Sequence, residues 1–134
     1  MPLESRLPLS TTPRVVIVDA DRRVQSSLAD LLGVTHEVSV VGRAGDVRSA
    51  LQVIESEHPD AVLVDPRLPD VEAGIALISG IARAWPDMRI VLTGWNDTGG
   101  HSLTPVAATR YVSKNASPEE FVQAVVQACC PDGC

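Results

Sequence analysis

Four polar residues each stand directly after a short apolar run: Asp19 after "VVIV", Asp65 after "AVLV", Thr93 after "RIVL" and Lys114 after "RYVS". Two carboxylates, a hydroxyl and an ammonium are the groups a phosphoryl site needs. A carboxylate can accept a phosphoryl group as an acyl phosphate, while a hydroxyl and an ammonium stabilise its equatorial oxygens. A hard cation such as Mg²⁺ takes oxygen ligands from carboxylates and phosphate. Each residue also has a plain structural reading. An Asp after a strand is a common turn residue, and "DPRLPD" holds two prolines of its own. Thr93 can simply end a strand, and Lys114 can be a solvated charge. The chemical reading gains because parallel strands would bring all four side chains to one edge, the crevice where open α/β sheets place ligands.

The elements that must position them can be read from periodicity. Strand candidates rich in β-branched residues are "RVVIV" (14–18), "EVSVV" (37–41), "AVLV" (61–64), "RIVL" (89–92) and "RYVS" (110–113). Between them lie helical spacings: Val24, Leu28, Leu31 and Leu32; Val47, Leu51 and Ile54; Ile75, Leu77, Ile78 and Ile81; and finally Phe121, Val122, Val125, Val126 and Cys129. Asp21 stands where it would cap the first helix, beginning at Arg22, with its carboxylate on backbone N–H groups. Ser117, Pro118 and Glu120 make a capping box for the last. Pro86 ends the third of these helices. Gly99, Gly100 and Pro105 predict a short or irregular helix within 96–109. Continuously apolar strands alternating with helices indicate a parallel sheet covered on both faces.

Composition narrows the function classes. With 134 residues, 21% of them charged and 45% hydrophobic, one globular domain is expected. Residues 1–13, with three prolines, read as a flexible leader, 14–129 as the domain and 130–134 as a tail, with no room for a separate output domain. A net charge of −6 without a basic stripe argues against nucleic acid as a partner. No apolar run approaches the roughly 18 residues of a membrane span, so neither membrane nor secretion is expected and the location reads as cytoplasmic. All three cysteines, Cys129, Cys130 and Cys134, lie in the last six residues, where no disulfide could brace the fold and the spacing fits no standard zinc pattern. His36 and His58 read as surface residues.

The run "VVIVDAD…AVLVDPRLPD…VLTG…YVSKNASPEE" resembles the receiver domain of two-component response regulators over about residues 14–129. That resemblance implies a flavodoxin-like, doubly wound, five-stranded parallel sheet in order 2-1-3-4-5 with helices on both faces. It places the phosphoacceptor at Asp65, the switch hydroxyl at Thr93, the phosphate-contacting lysine at Lys114 and the rotating aromatic at Tyr111. Gly94 would keep access to the phosphate open. Mg²⁺ would be held by Asp19, Asp65 and the backbone carbonyl of Arg67. The implied partners are a sensor histidine kinase or phosphotransfer protein upstream and a protein target downstream, with a homodimer through the last two helices and the fifth strand as one arrangement. The family's second acidic residue after the first strand is here Ala20, which predicts weakened Mg²⁺ binding. A stand-alone, atypical phosphoacceptor is the expected function, rather than an enzyme. Two other readings stay open: a pseudo-receiver that signals without phosphorylation, and a haloacid-dehalogenase-like phosphatase. The latter rests on Asp19-Ala20-Asp21 and Thr93, but lacks that family's Thr or Val at position 23.

Overall fold

A computed structural model describes residues 12–67, 70–94 and 110–129. The chain runs β1 (Arg14–Val18), α1 (Arg22–Thr35), β2 (Ser39–Ala44), α2 (Val47–Glu57), β3 (Ala61–Val64), α3 (Val71–Ala84), β4 (Arg89–Gly94), β5 (Arg110–Ser113) and α4 (Pro118–Cys129). The five strands form one sheet in the order β2-β1-β3-β4-β5. Every pairing is parallel. This is the expected flavodoxin-like arrangement. Its order reverses beside β1, where Asp19 emerges.

Alternation along the strands builds two cores. Val15, Ile17, Leu63 and Val91 face one side and are sealed by Leu28 and Leu32 of α1 and by Phe121, Val122 and Val125 of α4. Val16, Val18, Val62, Val64, Ile90 and Leu92 face the other, under Ala50 and Ile54 of α2 and Leu77, Ile78 and Ile81 of α3. Fully burying each large aliphatic or aromatic side chain is worth about 1.5–3 kcal/mol, so the strand ends sit on a stiff platform. The caps fix where the helices start. Asp21 accepts from Arg23 N at 2.9 Å, Asp46 from Ser49 N at 2.8 Å and Asp70 from Ala73 N at 2.8 Å. Ser117 and Glu120 exchange the two bonds of a capping box, at 2.8 and 3.2 Å.

Some expectations need correction. The second strand is Ser39–Ala44 rather than 37–41. A bulge at Val41 lets Gly42 pair with Val16, so "GRA" joins the sheet despite reading as a turn. β4 continues through Thr93 to Gly94. Leu51, expected on the inner face of α2, is 37% exposed, and Ala50 takes its place. The leader (residues 1–11 of it), the expected irregular helix within 96–109 and the tail 130–134 lie outside the described residues, as do Cys130 and Cys134.

Candidate functional site

The two aspartates are placed by the ladder itself. Asp19 N donates to Ala44 O and Asp65 N to Val18 O, both at 3.0 Å, so each residue is anchored one step beyond its strand. Lys114 N donates to Gly94 O at 2.7 Å, which brings the end of β5 to the same edge. Val64 pairs with Leu92, so the register sets Thr93 beside Asp65, and Thr93 is buried.

Lys114 links the carboxylates. Its Nζ donates to Asp65 Oδ2 at 2.8 Å and forms an ion pair with Asp19 Oδ2 at 2.5 Å. The contact to Asp19 lacks hydrogen-bond direction, so that buried oxygen is satisfied by charge alone among the described residues. Burial pulls the Lys114 ammonium pKa down, but the close carboxylate oxygens and negative charges of Asp19 and Asp65 outweigh it and hold the group above its ordinary value. The free oxygens of both turns behave alike: Asp21 N donates to Asp19 Oδ1 and Arg67 N to Asp65 Oδ1, each at 2.9 Å. Their exposure differs. The Asp19 side chain is 4% exposed and that of Asp65 17%.

Three supporting residues surround this cluster. Gln25, buried on α1, donates Nε2 to Asp19 O at 2.7 Å and to Ala44 O at 3.3 Å, tying the turn after β1 to the end of β2. Sequence reasoning missed it, because a glutamine in "RRVQSS" reads as solvent-facing; its four-residue spacing to Asp21 was the available signal. Gly74 supports the other turn: a Cβ there would meet Pro66 O at 1.7 Å, so only glycine lets α3 approach the segment after Asp65. At Gly94, an added Cβ would lie 3.0 Å from the Tyr111 hydroxyl, which places the aromatic ring over the end of β4. Tyr111 itself is half-buried against the second core.

The donor set fits a divalent cation only in part. Two carboxylate oxygens converge on one positive charge, now the Lys114 ammonium, and one of them is a buried oxygen without a directed hydrogen bond. Ala20 contributes no ligand, and Asp21 turns its carboxylate onto Arg23 N as a cap. No group of three or more His, Cys, Asp or Glu side chains able to hold a metal occurs among the described residues. Asp19, Asp65 and the Arg67 carbonyl would be the protein ligands.

Elsewhere, His36 and His58 occupy left-handed positions closing α1 and α2, with φ of 60° and 48°. Cys129 is half-buried, and burial chiefly, with the charge of Asp60, pushes its thiol up to about 11 despite Arg89. Among the described residues no helix is long and apolar enough to cross a membrane.

The profile of the response regulator receiver domain matches residues 15–126. The chain is 35% identical over 114 residues to the DNA-binding transcriptional activator DevR/DosR of Mycobacterium tuberculosis, covering 84% of this chain and 52% of that protein. Among solved structures it is similar to the signal receiver domain of the response regulator NarL from Mycobacterium tuberculosis (TM-score 0.73, 26% identity), covering 88% of this chain and 96% of that one. It is also similar to a LuxR-family two-component response regulator from Aurantimonas sp. SI85-9A1 (TM-score 0.79, 25% identity), covering 90% and 87%. The chain spans about half the length, or less, of the first curated relatives it matches.

These relatives correct one expectation. The net charge argues against nucleic acid as a partner, yet DevR/DosR, half of whose length this chain matches, is by name a DNA-binding transcriptional activator. Electrostatic attraction to DNA is local, decaying over a Debye length of about 8–10 Å at physiological salt. The sum of charges over 134 residues therefore says nothing of a basic surface elsewhere in a regulator. With the sheet order, the residues at its edge and the profile match in agreement, the chain belongs to the response regulator receiver domain family, signalling modules of two-component systems built on the flavodoxin-like fold.

Proposed function

We propose that this domain accepts a phosphoryl group on Asp65, from a histidine kinase upstream, with weakened dependence on Mg²⁺. The observation that carries the reading is the difference in exposure between two otherwise equivalent carboxylates: Asp65 keeps a path to solvent that Asp19 lacks. In the transfer, Asp65 Oδ2 attacks phosphorus, the bond from phosphorus to the donor breaks, and the donor leaves with the electron pair. Lys114 then turns from its double ion pair to the new phosphoryl oxygens, and the Thr93 hydroxyl donates to another. Tyr111, whose ring already lies over Gly94, follows by reorienting. Mg²⁺, when bound by Asp19, Asp65 and the Arg67 carbonyl, would neutralise charge on the incoming group.

A second reading is favoured by Ala20 and by the committed cap at Asp21: a module that signals by contact alone. The phosphatase reading loses its support, because Asp21 is the cap of α1. Intact-mass measurement after incubation with a small acyl phosphate, with and without Mg²⁺, separates the first two. Wild type should gain the mass of one phosphoryl group in both conditions. Ala20→Asp should gain it roughly tenfold faster in Mg²⁺, the effect of about 1.4 kcal/mol from one added ligand. No added mass in either protein would remove the proposal and leave the contact module.

A further inference from the structure

The start of α1, the end of β2 and the start of α2 border a surface cleft of about 550 Å³, with Ala20 at its edge. Arg22, Ser26, Arg43, Asp46 and Ser49 line it together with the exposed Ala20. Its volume falls in the range of about 300–1,000 Å³ typical of small-molecule sites. The lining carries two guanidinium groups against one carboxylate. That carboxylate is already engaged, since Asp46 Oδ1 accepts from Ser49 N at 2.8 Å, a bond that also holds the Asp46 carboxyl below its ordinary range. Arg43 is held across the cleft by a 3.2 Å bond from Nη1 to Ser26 Oγ, which leaves its remaining N–H groups available as donors. Planar guanidinium pairs match the oxygens of a phosphate bidentately.

Residue 20 connects this cleft to the rest of the molecule. An acidic side chain there would cancel the excess positive charge of the wall, from two cations and one anion to two of each. Alanine leaves the excess in place. We infer that the cleft between Arg22 and Arg43 binds the phosphate of a small phosphomonoester. The phosphate sits between the two guanidinium groups, and any organic portion extends along the cleft. The inference does not depend on Asp65 accepting a phosphoryl group.

Two-dimensional amide NMR in Mg²⁺-free buffer at constant ionic strength tests it, with inorganic phosphate and adenosine 5′-monophosphate as separate probes. Saturable shifts are expected at the amides of Arg22, Ser26 and Ser49. Equal affinity for both probes assigns the site to phosphate itself, and tighter binding of the nucleotide assigns it to a phosphate with an organic group attached. Arg43→Gln should weaken binding about tenfold, and Ala20→Asp should weaken it as well. Asp46→Asn, which retains an effective N-cap, should tighten it. Shifts that do not saturate, that are equal in Arg43→Gln and Asp46→Asn, or that appear only at Thr93 and Lys114 would overturn the inference.

Discussion

The turns after β1 and β3 share their backbone bonding and differ in burial and in what supports them. In each, an aspartate just past the strand accepts a backbone N–H two residues on with Oδ1 and faces Lys114 with Oδ2. Asp19 is sealed beneath the structure, while Asp65 opens to solvent. The turn at Asp19 is tied by Gln25 from α1, and that at Asp65 is held by the close approach of α3 at Gly74. Similar backbone bonding thus leaves one carboxylate sealed and the other partly open, and the role proposed for Asp65 rests on that difference in accessibility.

Breaking the shared partner should give the largest effect. Lys114→Met leaves both carboxylates facing each other without their cation, and loss of one partner from a buried ion pair costs about 3–5 kcal/mol. Urea unfolding at neutral pH should show a loss near the lower end, because Asp65 can reach water. Adding Asp19→Asn should recover more of that loss than adding Asp65→Asn; equal recovery would mean that the difference in burial carries no energy. The raised Lys114 pKa also sets an alkaline limit. Its stabilisation is complete below the ordinary lysine value of 10.5 and is lost as pH rises through the higher folded value, so the decline should be absent from Lys114→Met.

Each turn can then be disturbed separately. Gly74→Ala places a carbon against Pro66 O and should cost about 1–3 kcal/mol, slowing phosphoryl uptake while leaving the amide signals around Asp19 unchanged. Gln25→Leu removes the donor to two carbonyls and should cost about 1–2 kcal/mol, with shifts confined to the Asp19 turn and the end of β2. Reversal of those two NMR patterns would show that the supports are not independent. The smallest effect concerns Cys129, away from both turns. Its thiol titrates near 11 when folded against 9.0 ordinarily, so its stabilisation is full below pH 9 and fades as pH rises to 11. Discounted for partial exposure, the loss is about 1 kcal/mol, and Cys129→Ser should abolish that part of the decline.

Much of this arrangement was legible in the residues. β1 and β3 coincide with their apolar runs because buried parallel strands are apolar on both faces, and the edge strand β5 coincides with "RYVS" although only Val112 in it is buried. The polar residue ending each run marks the common edge. The cap at Asp21 was readable because a strand end and a helical pattern meet there. The end of β2 was not, because "VGRA" gains its strand conformation from pairing with β1 rather than from its own propensity. Gln25 and Gly74 were also hidden as supports. One depends on which helix face turns inward, the other on how closely α3 approaches the Asp65 turn. The left-handed His36 and His58 stand where a glycine would have announced the helix end.

The most direct test compares phosphoryl uptake from a small acyl phosphate by Asp19→Asn and Asp65→Asn, read by intact mass. Asp19→Asn should still acquire one phosphoryl group, about tenfold more slowly because the charge partner of Lys114 is lost, whereas Asp65→Asn should acquire none. Uptake by Asp65→Asn at the wild-type rate, or its complete loss in Asp19→Asn alone, would contradict the account.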